Sequence, residues 1–283
     1  MNKLLSRTPG KVILTLVGII VAWAFFWPVV WMTGSAFRPE KEIFEYFQPI
    51  SIHTLIPSNY TLDNFRAAIE VGFGRAWFNS IVVSLASAAL GLAITVPAAF
   101  ALSVLRFRGR GLAFAILFVT FSVPFELVAI PLASSFRDWG LTNTYTGLIL
   151  PGLANGFAIL LLRQFFAGVP EQLKEAARVD GAGWFRIMLQ IYVPLAKPAL
   201  ASAGLMLFIG QWQAYLWPLL VADKPEMQVG SVALANLQAG AVGGTQFGAI
   251  FAGAILLSIV PTVIMLSMQR VFVLSIASTG VKG

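Results

Sequence analysis

Few side chains in this sequence could do covalent chemistry. There is no cysteine, and His53 is the only histidine. A thiolate nucleophile, a disulfide and a thiolate or histidine-rich metal site are therefore excluded, and no metal site is expected. No HExxH, GxSxG or GxxxxGK[ST] pattern occurs, so metalloprotease, serine-hydrolase and phosphate-loop chemistry lack their residues. What remains suits binding rather than bond breaking. Gln211, Trp212, Gln213 and Tyr215, with Trp217 close behind, interleave amides and aromatic rings. Ring faces stack on C–H groups and amides pair with hydroxyls, the combination a pyranose ring needs. Aromatic residues also form belts at membrane interfaces, which is the alternative reading. Asn155, between Pro151 and Gly156, is a second candidate for such contacts. Glu126, between Pro124 and Pro131, is a third. It reads either as a partner for the hydroxyls of a passing solute or as a buried acid that pins helices together. Its place near the outer end of its apolar run offers a third account.

The elements that must position these groups are membrane spans. The chain has 283 residues, 58% hydrophobic and only 11% charged, against about 25% charged in a soluble domain. The stretches 12–37, 76–105, 139–162 and 198–222 each run for more than 20 residues without Asp, Glu, Lys or Arg. Roughly 20 apolar residues in helix cross the hydrocarbon core. Six spans are expected, at about 12–33, 77–101, 112–133, 145–162, 199–219 and 247–268. The first is too long for a signal-peptide core and carries Trp27, Pro28 and Trp31 where a cleavage site would fall, so it is read as a retained span. Small residues in the second (Ser84, Ala86, Ser87, Ala88, Ala89, Gly91) imply close helix packing. The net charge of +7 would hint at nucleic acid in a soluble protein. Here its placement matters more, and no nucleic-acid partner is expected. Thirteen Lys and Arg, including Arg106, Arg108 and Arg110, fall on one side of the spans with three acids. The other side has six and eight. The basic side is cytoplasmic, with both termini on it. The outside segments 38–76 and 223–246 are long enough to fold. A short helix over 62–71, with capping residues from Ser58 to Asp63, is expected in the first, and a short helix plus a turn at Gly243–Gly244 in the second.

One cytoplasmic segment, 165–198, has its own pattern. Pro170 and Glu171 suit a helix start, after which Leu173, Ala176 and Ala177 share one face. Gly181 and Gly183 interrupt the helix. Trp184, Ile187, Met188 and Ile191 form a second face, with Pro194 and Pro198 ending the run. Two short amphipathic helices joined by a glycine bend could lie on lipid through Trp184 and Arg186, or dock another protein through small Ala176 and Ala177 with Glu175 beside them.

The spacing Glu175-Ala176-Ala177, Gly181, Ile191, Pro194 resembles the signature loop of binding-protein-dependent ABC importer permeases, with Val193 where Leu is usual. Leu141 to Tyr145, Gly147 to Pro151, Leu162 to Phe166 and the WQAYLWP stretch from Trp212 resemble the carbohydrate, maltose-type subfamily, and the tail resembles its subunit without a large periplasmic insertion. Gln213 and Ala214 depart from the amide and acid usual there. The resemblance implies an all-α membrane protein of the type I ABC importer permease fold. It would be a single transmembrane permease domain over 1–283, in a bacterial inner membrane. It implies a coupling loop (Glu175, Ala176, Ala177, Asp180, Gly181, Ile191, Pro194) seated on a separate ATPase dimer. A second, homologous permease and an extracytoplasmic substrate-binding protein complete the assembly, the latter docking on 38–76 and 223–246. ATP and Mg would belong to the ATPase subunits, with no cofactor in this chain. The solute would be a mono-, di- or oligosaccharide; glycerol phosphate or a glycerophosphodiester is the alternative, since WQAYLWPLL also resembles that branch. A stand-alone secondary transporter would need inverted repeats or several intramembrane charges, and a membrane enzyme a cluster of reactive groups. Neither pattern is present.

Overall fold

The computed structural model describes residues 9–45, 52–240 and 246–279. Lys3, Arg7, Lys282 and the Gly243–Gly244 turn lie outside them. Among the described residues every regular element is helical. In chain order these are α1 (Pro9–Ala36), α2 (Glu42–Glu45), α3 (Asp63–Glu70), α4 (Phe73–Val104), α5 (Arg110–Ser122), α6 (Phe125–Asp138), α7 (Tyr145–Ile149) and α8 (Gly156–Ala167). There follow α9 (Glu171–Val179), α10 (Trp184–Ile187), α11 (Val193–Leu195), α12 (Lys197–Trp212), α13 (Leu216–Val221), α14 (Gly230–Gln238) and α15 (Phe247–Thr279). Among the described residues three uninterrupted helices are long and apolar enough to cross a membrane, over Lys11–Ala36, Phe73–Val104 and Phe247–Met268. Three bent pairs supply the others: Arg110–Thr120 with Phe125–Asp138, Tyr145–Gly152 with Gly156–Ala167 at 48°, and Trp184–Leu195 with Lys197–Trp212 at 87°. The six spans are present, but half of them are broken.

The first two breaks have a local cause. Val123 is extended (ψ 121°) ahead of Pro124, because proline's ring disfavours the helical region for the residue before it. Pro151 sits in a tight turn over Leu150–Gly152, and α8 restarts on Asn155, whose Oδ1 accepts from the Ala158 N–H at 3.0 Å. The expected fifth span, 199–219, is also interrupted between α12 and α13, where Pro218, having no N–H, leaves the Ala214 carbonyl without its helical donor.

Two compact units emerge, one drawn from Met1–Phe73 and Leu234–Leu256, the other from Gly74–Ala233 and Leu257–Gly283. In the first, Glu40 accepts from the Phe247 and Gly248 N–H groups at 2.8 and 2.7 Å, so a carboxylate caps the positive end of α15. Asn64 donates to the Ala36 and Arg38 carbonyls at 2.9 and 2.7 Å, and any side chain at Gly248 would collide with it. The short helix in this segment begins at Asp63 on Leu62, and Thr61 rather than a residue at the cap accepts from the Asp63 N–H.

In the second unit the small residues of α4 do what their size suggests. A Cβ on Gly91 would lie 3.1 Å from Leu207 of α12, and one on Gly204 of α12 would lie 3.2 Å from Leu92, so the two helices approach backbone to side chain at both points. Two cores form. One gathers Phe100, Leu162, Phe166, Ile187, Met188, Tyr192 and Ala203. The other holds Val83, Phe136, Leu148, Trp217, Val221 and Val232. Asn79, fully buried on α4, accepts from the Tyr145 hydroxyl at 2.7 Å and donates to the Glu226 and Gln228 carbonyls, fixing the loop before α14.

Candidate functional site

The basic-side loop folds as α9, a turn and α10. Asp180 ends α9, Gly181 follows at φ +79°, and two bonds close the end: Gly181 N–H to the Arg178 carbonyl at 3.1 Å and Ala182 N–H to the Ala177 carbonyl at 2.9 Å. This left-handed helix stop favours glycine because any Cβ is strained there. Gly183 is extended (φ −73°, ψ 161°) and starts α10. Arg178 then lies 4.5 Å over the Trp184 ring, tying the two helices across the bend.

The second helix differs from a simple amphipathic one. A wide π turn covers Met188–Tyr192, with the Val193 N–H bonded to the Met188 carbonyl five residues back. Pro194 follows inside α11 rather than terminating the run, and the chain turns at Ala196 instead. Widening the turn makes room for a ring that would strike the carbonyl four residues earlier. The extra residue brings Tyr192 into the core beside Ile187 and Met188 and leaves Trp184 half exposed. On α9 the structure divides the expected trio. Ala177 packs against the core, whereas Leu173 and Ala176 face outward. The outward face continues through Glu175 to Val179, which is 88% exposed. Asp180, Gly181 and Pro194 are exposed and Ile191 is half-buried.

A second feature is a cavity of about 330 Å³ among the spans. Its walls come from three broken helices: Phe125 at the start of α6, then Pro151, Gly152 and Asn155 between α7 and α8, then Gln211, Ala214 and Trp217 around the α12–α13 break. Gln211 donates to the Leu148 carbonyl at 3.2 Å, and a Cβ on Gly152 would sit 2.6 Å from the Gln211 Oε1, so a side chain there would have to displace that amide. Trp217 donates to the Gly147 carbonyl at 2.9 Å and packs edge-on to Phe125 and Phe136. Among the described residues no lining side chain carries a charge.

Residues 91–277, which include both the loop and the cavity, match the model of a family described as binding-protein-dependent transport system inner membrane component. The sn-glycerol-3-phosphate transport system permease protein UgpE of Brucella melitensis is 36% identical over 97% of both chains. The arabinooligosaccharides transport system permease protein AraQ of Halalkalibacterium halodurans is 33% identical over 96% of both. The chain belongs to this permease family. In structure it superposes on a chain of a bacterial ABC transporter involved in the import of alginate with a TM-score of 0.75, at 23% identity, over 93% of this chain and 98% of that one. The fold is therefore that of an ABC importer permease, resident in the inner membrane as its family is.

Within this permease the structure gathers Asn155 and Gln211 into one cavity. Glu126 is exposed in the first turn of α6, off the cavity and without an ion pair among the described residues. Trp212 is buried instead against Phe208, with ring centroids 5.5 Å apart. Gln213 caps the end of α12 and Tyr215 precedes α13, both exposed. The break at 213–215 turns them away from Gln211. Trp217, grouped with those amides in the sequence, also lines the cavity, together with Gly152 and Phe125, which were not singled out. Trp217 carried a usable signal, an aromatic one residue before a proline in the same amide-rich stretch.

Proposed function

We propose that this permease forms half of the translocation pathway of an ATP-driven sugar importer and couples to a separate ATPase dimer through Glu175–Pro194. A second, homologous permease supplies the other half, and an extracytoplasmic binding protein delivers the solute. Glu175, Ala176, Asp180 and Gly181 present the exposed contact surface. Ala177, Ile191 and Pro194 connect it to the core and to α12. Motion of α9 against the ATPases thereby reaches the broken spans. ATP and Mg sit on the ATPase subunits in this reading, and this chain performs no chemistry of its own.

The observation that carries the sugar reading is the uncharged cavity wall, in which the amides of Asn155 and Gln211 stand beside Phe125 and Trp217. Neutral hydroxyls suit that wall, and a phosphate would ask for an Arg or Lys it lacks. Arabino-oligosaccharide transport by a relative at 33% identity agrees. Glycerol 3-phosphate is the second reading, favoured by the relative at 36% identity. The test is substrate-stimulated ATP hydrolysis and uptake by the reconstituted assembly. Stimulation by a neutral oligosaccharide supports the sugar reading, and stimulation by sn-glycerol 3-phosphate alone replaces it. Uptake that continues without the ATPase subunits would make the chain a stand-alone secondary transporter.

A further inference from the structure

A pocket of about 240 Å³ opens at the basic ends of the spans, where α4 ends, α5 begins and α8 passes into α9. Ser103, Arg106, Arg110, Glu171, Lys174 and Tyr192 supply its polar groups. Three cations meet one carboxylate. Glu171 is bonded to Lys174 and lies 3.9 Å from Arg106, so it offsets one positive charge and leaves two. Arg110 spends its hydrogens on the Ser103 and Leu105 carbonyls at 3.2 and 3.3 Å, which orients it without neutralising it. The Lys174 side chain is only 16% exposed, an unusual setting for an ammonium group whose one ion-pair partner among the described residues is Glu171. Tyr192 is 2% exposed overall and lines the same space. Its phenol stays protonated at neutral pH and can donate.

We propose that this pocket binds a phosphate-bearing anion, contributed either by the head of an acidic lipid or by a free phosphate ion. The charge excess fixes the sign of the ligand. At about 240 Å³ the pocket has room for a phosphate group with a short substituent. Clustered cations beside a phenolic donor are what a tetrahedral oxyanion needs, since charge-assisted bonds to it are the strong ones. The place suits both sources: it lies at span ends, on the side the Lys and Arg distribution assigns to the cytoplasm, where acidic headgroups and soluble phosphate are both at hand. A ligand here would bridge the α4–α5 turn to the first turn of α9, and would therefore hold the loop that carries Glu175 and Gly181. None of these groups lines the uncharged cavity among the spans, so this site is independent of the solute.

The experiment uses the full-length chain purified with its partner subunits. One arm places it in phosphatidylcholine nanodiscs doped with phosphatidylglycerol and counts retained phosphatidylglycerol by native mass spectrometry. The other uses phosphatidylcholine alone and measures binding of radiolabelled inorganic phosphate by equilibrium dialysis. Retention in the first arm assigns the lipid, and binding in the second assigns the free ion. In the responding arm Arg106→Gln with Lys174→Gln weakens binding about tenfold or more. Glu171→Gln, which removes the competing carboxylate, tightens it, and Arg108→Gln on the same turn leaves it unchanged. General damage to the fold would not give opposite signs at Glu171 and Lys174. No binding in either arm, or equal weakening by Glu171→Gln and Lys174→Gln, overturns the proposal.

Discussion

Replacing Gly181 isolates the role of the loop turn. The residue sits at φ +79°, and a Cβ built there meets no atom within 4 Å. A side chain is therefore sterically free, and the whole penalty lies in holding an L-residue in the left-handed region, about 1–2 kcal/mol. Asn tolerates that region best, Ala less and a β-branched residue least. Gly181→Asn, Gly181→Ala and Gly181→Val should thus form a graded series. At about 1.4 kcal/mol the ratio of closed to frayed turn shifts tenfold. The turn that frays is the one joining Ala177, in the core, to Ala182 at the start of the second helix. Insertion and the cavity lie elsewhere and are unaffected. In proteoliposomes with the ATPase subunits, solute imported per ATP hydrolysed falls in the order Asn, Ala, Val, while assembly in the membrane holds. Gly183→Ala is the control, because Gly183 is extended at φ −73° and has equal room. An unchanged ratio in Gly181→Val, or an equal loss in Gly183→Ala, would refute the reasoning.

Two further outcomes are expected. Trp217→Phe keeps a ring against Phe125 and Phe136 but strips the donor from the Gly147 carbonyl, whose usual helical donor is missing because Pro151 stands four residues on. A buried carbonyl left unpaired costs about 1–3 kcal/mol, so thermal unfolding in detergent shifts down by several degrees, and an unchanged Tm would count against the assignment. The Glu171 carboxyl is held below its usual range by the hydrogen bond from Lys174, helped by the charges of Lys174 and Arg106 against a small opposing effect of burial. A depressed folded value means that its stabilisation is present above the ordinary carboxylate pKa, about 4.3, and is lost only as pH falls through the lower folded one. Hydrogen exchange in the first turn of α9 should accordingly stay slow down through that ordinary value in the parent and rise earlier in Lys174→Gln.

The sequence made some features legible and hid others for definite reasons. Long, mostly apolar runs marked every span, the third despite Glu126, because the bilayer demands apolar length of each in the same way. Gly181 was legible because a left-handed stop leaves a local signature. The π turn over Met188–Tyr192 was not, since its cause, Pro194, is equally compatible with a helix that simply ends. The substrate candidates suffered most. Glu126, in the third apolar run, and Trp212, Gln213 and Tyr215, in the fifth, were chosen for their chemistry, yet the structure breaks both runs, at Val123 and at 213–215. The basic pocket draws on residues 103 to 192 and has no local pattern at all.

Proline alone does not say where a span will break. Pro28, Pro97 and Pro261 lie inside α1, α4 and α15, which run on through them. Pro151 and Pro218 accompany breaks. The difference is what happens to the carbonyl four residues earlier, which each proline deprives of its N–H donor. For Pro151 that carbonyl belongs to Gly147, and the Trp217 indole supplies a donor at 2.9 Å. For Pro218 it belongs to Ala214, and the Ser231 hydroxyl supplies one at 2.6 Å. Next to the first, Gln211 serves the Leu148 carbonyl where α7 gives way to the tight turn. A lipid-filled bilayer offers no such donor, so irregular backbone at depth must be satisfied by the protein or open onto a cavity. Here both conditions hold together, for Gly152, Gln211, Ala214 and Trp217 all line the same space. Trp217 and Gln211, which stabilise the break at Pro151, are thus also walls of the proposed pathway. A rearrangement transmitted from α9 through Ala196 to α12 could not move Gln211 without disturbing the Leu148 bond that holds the facing break.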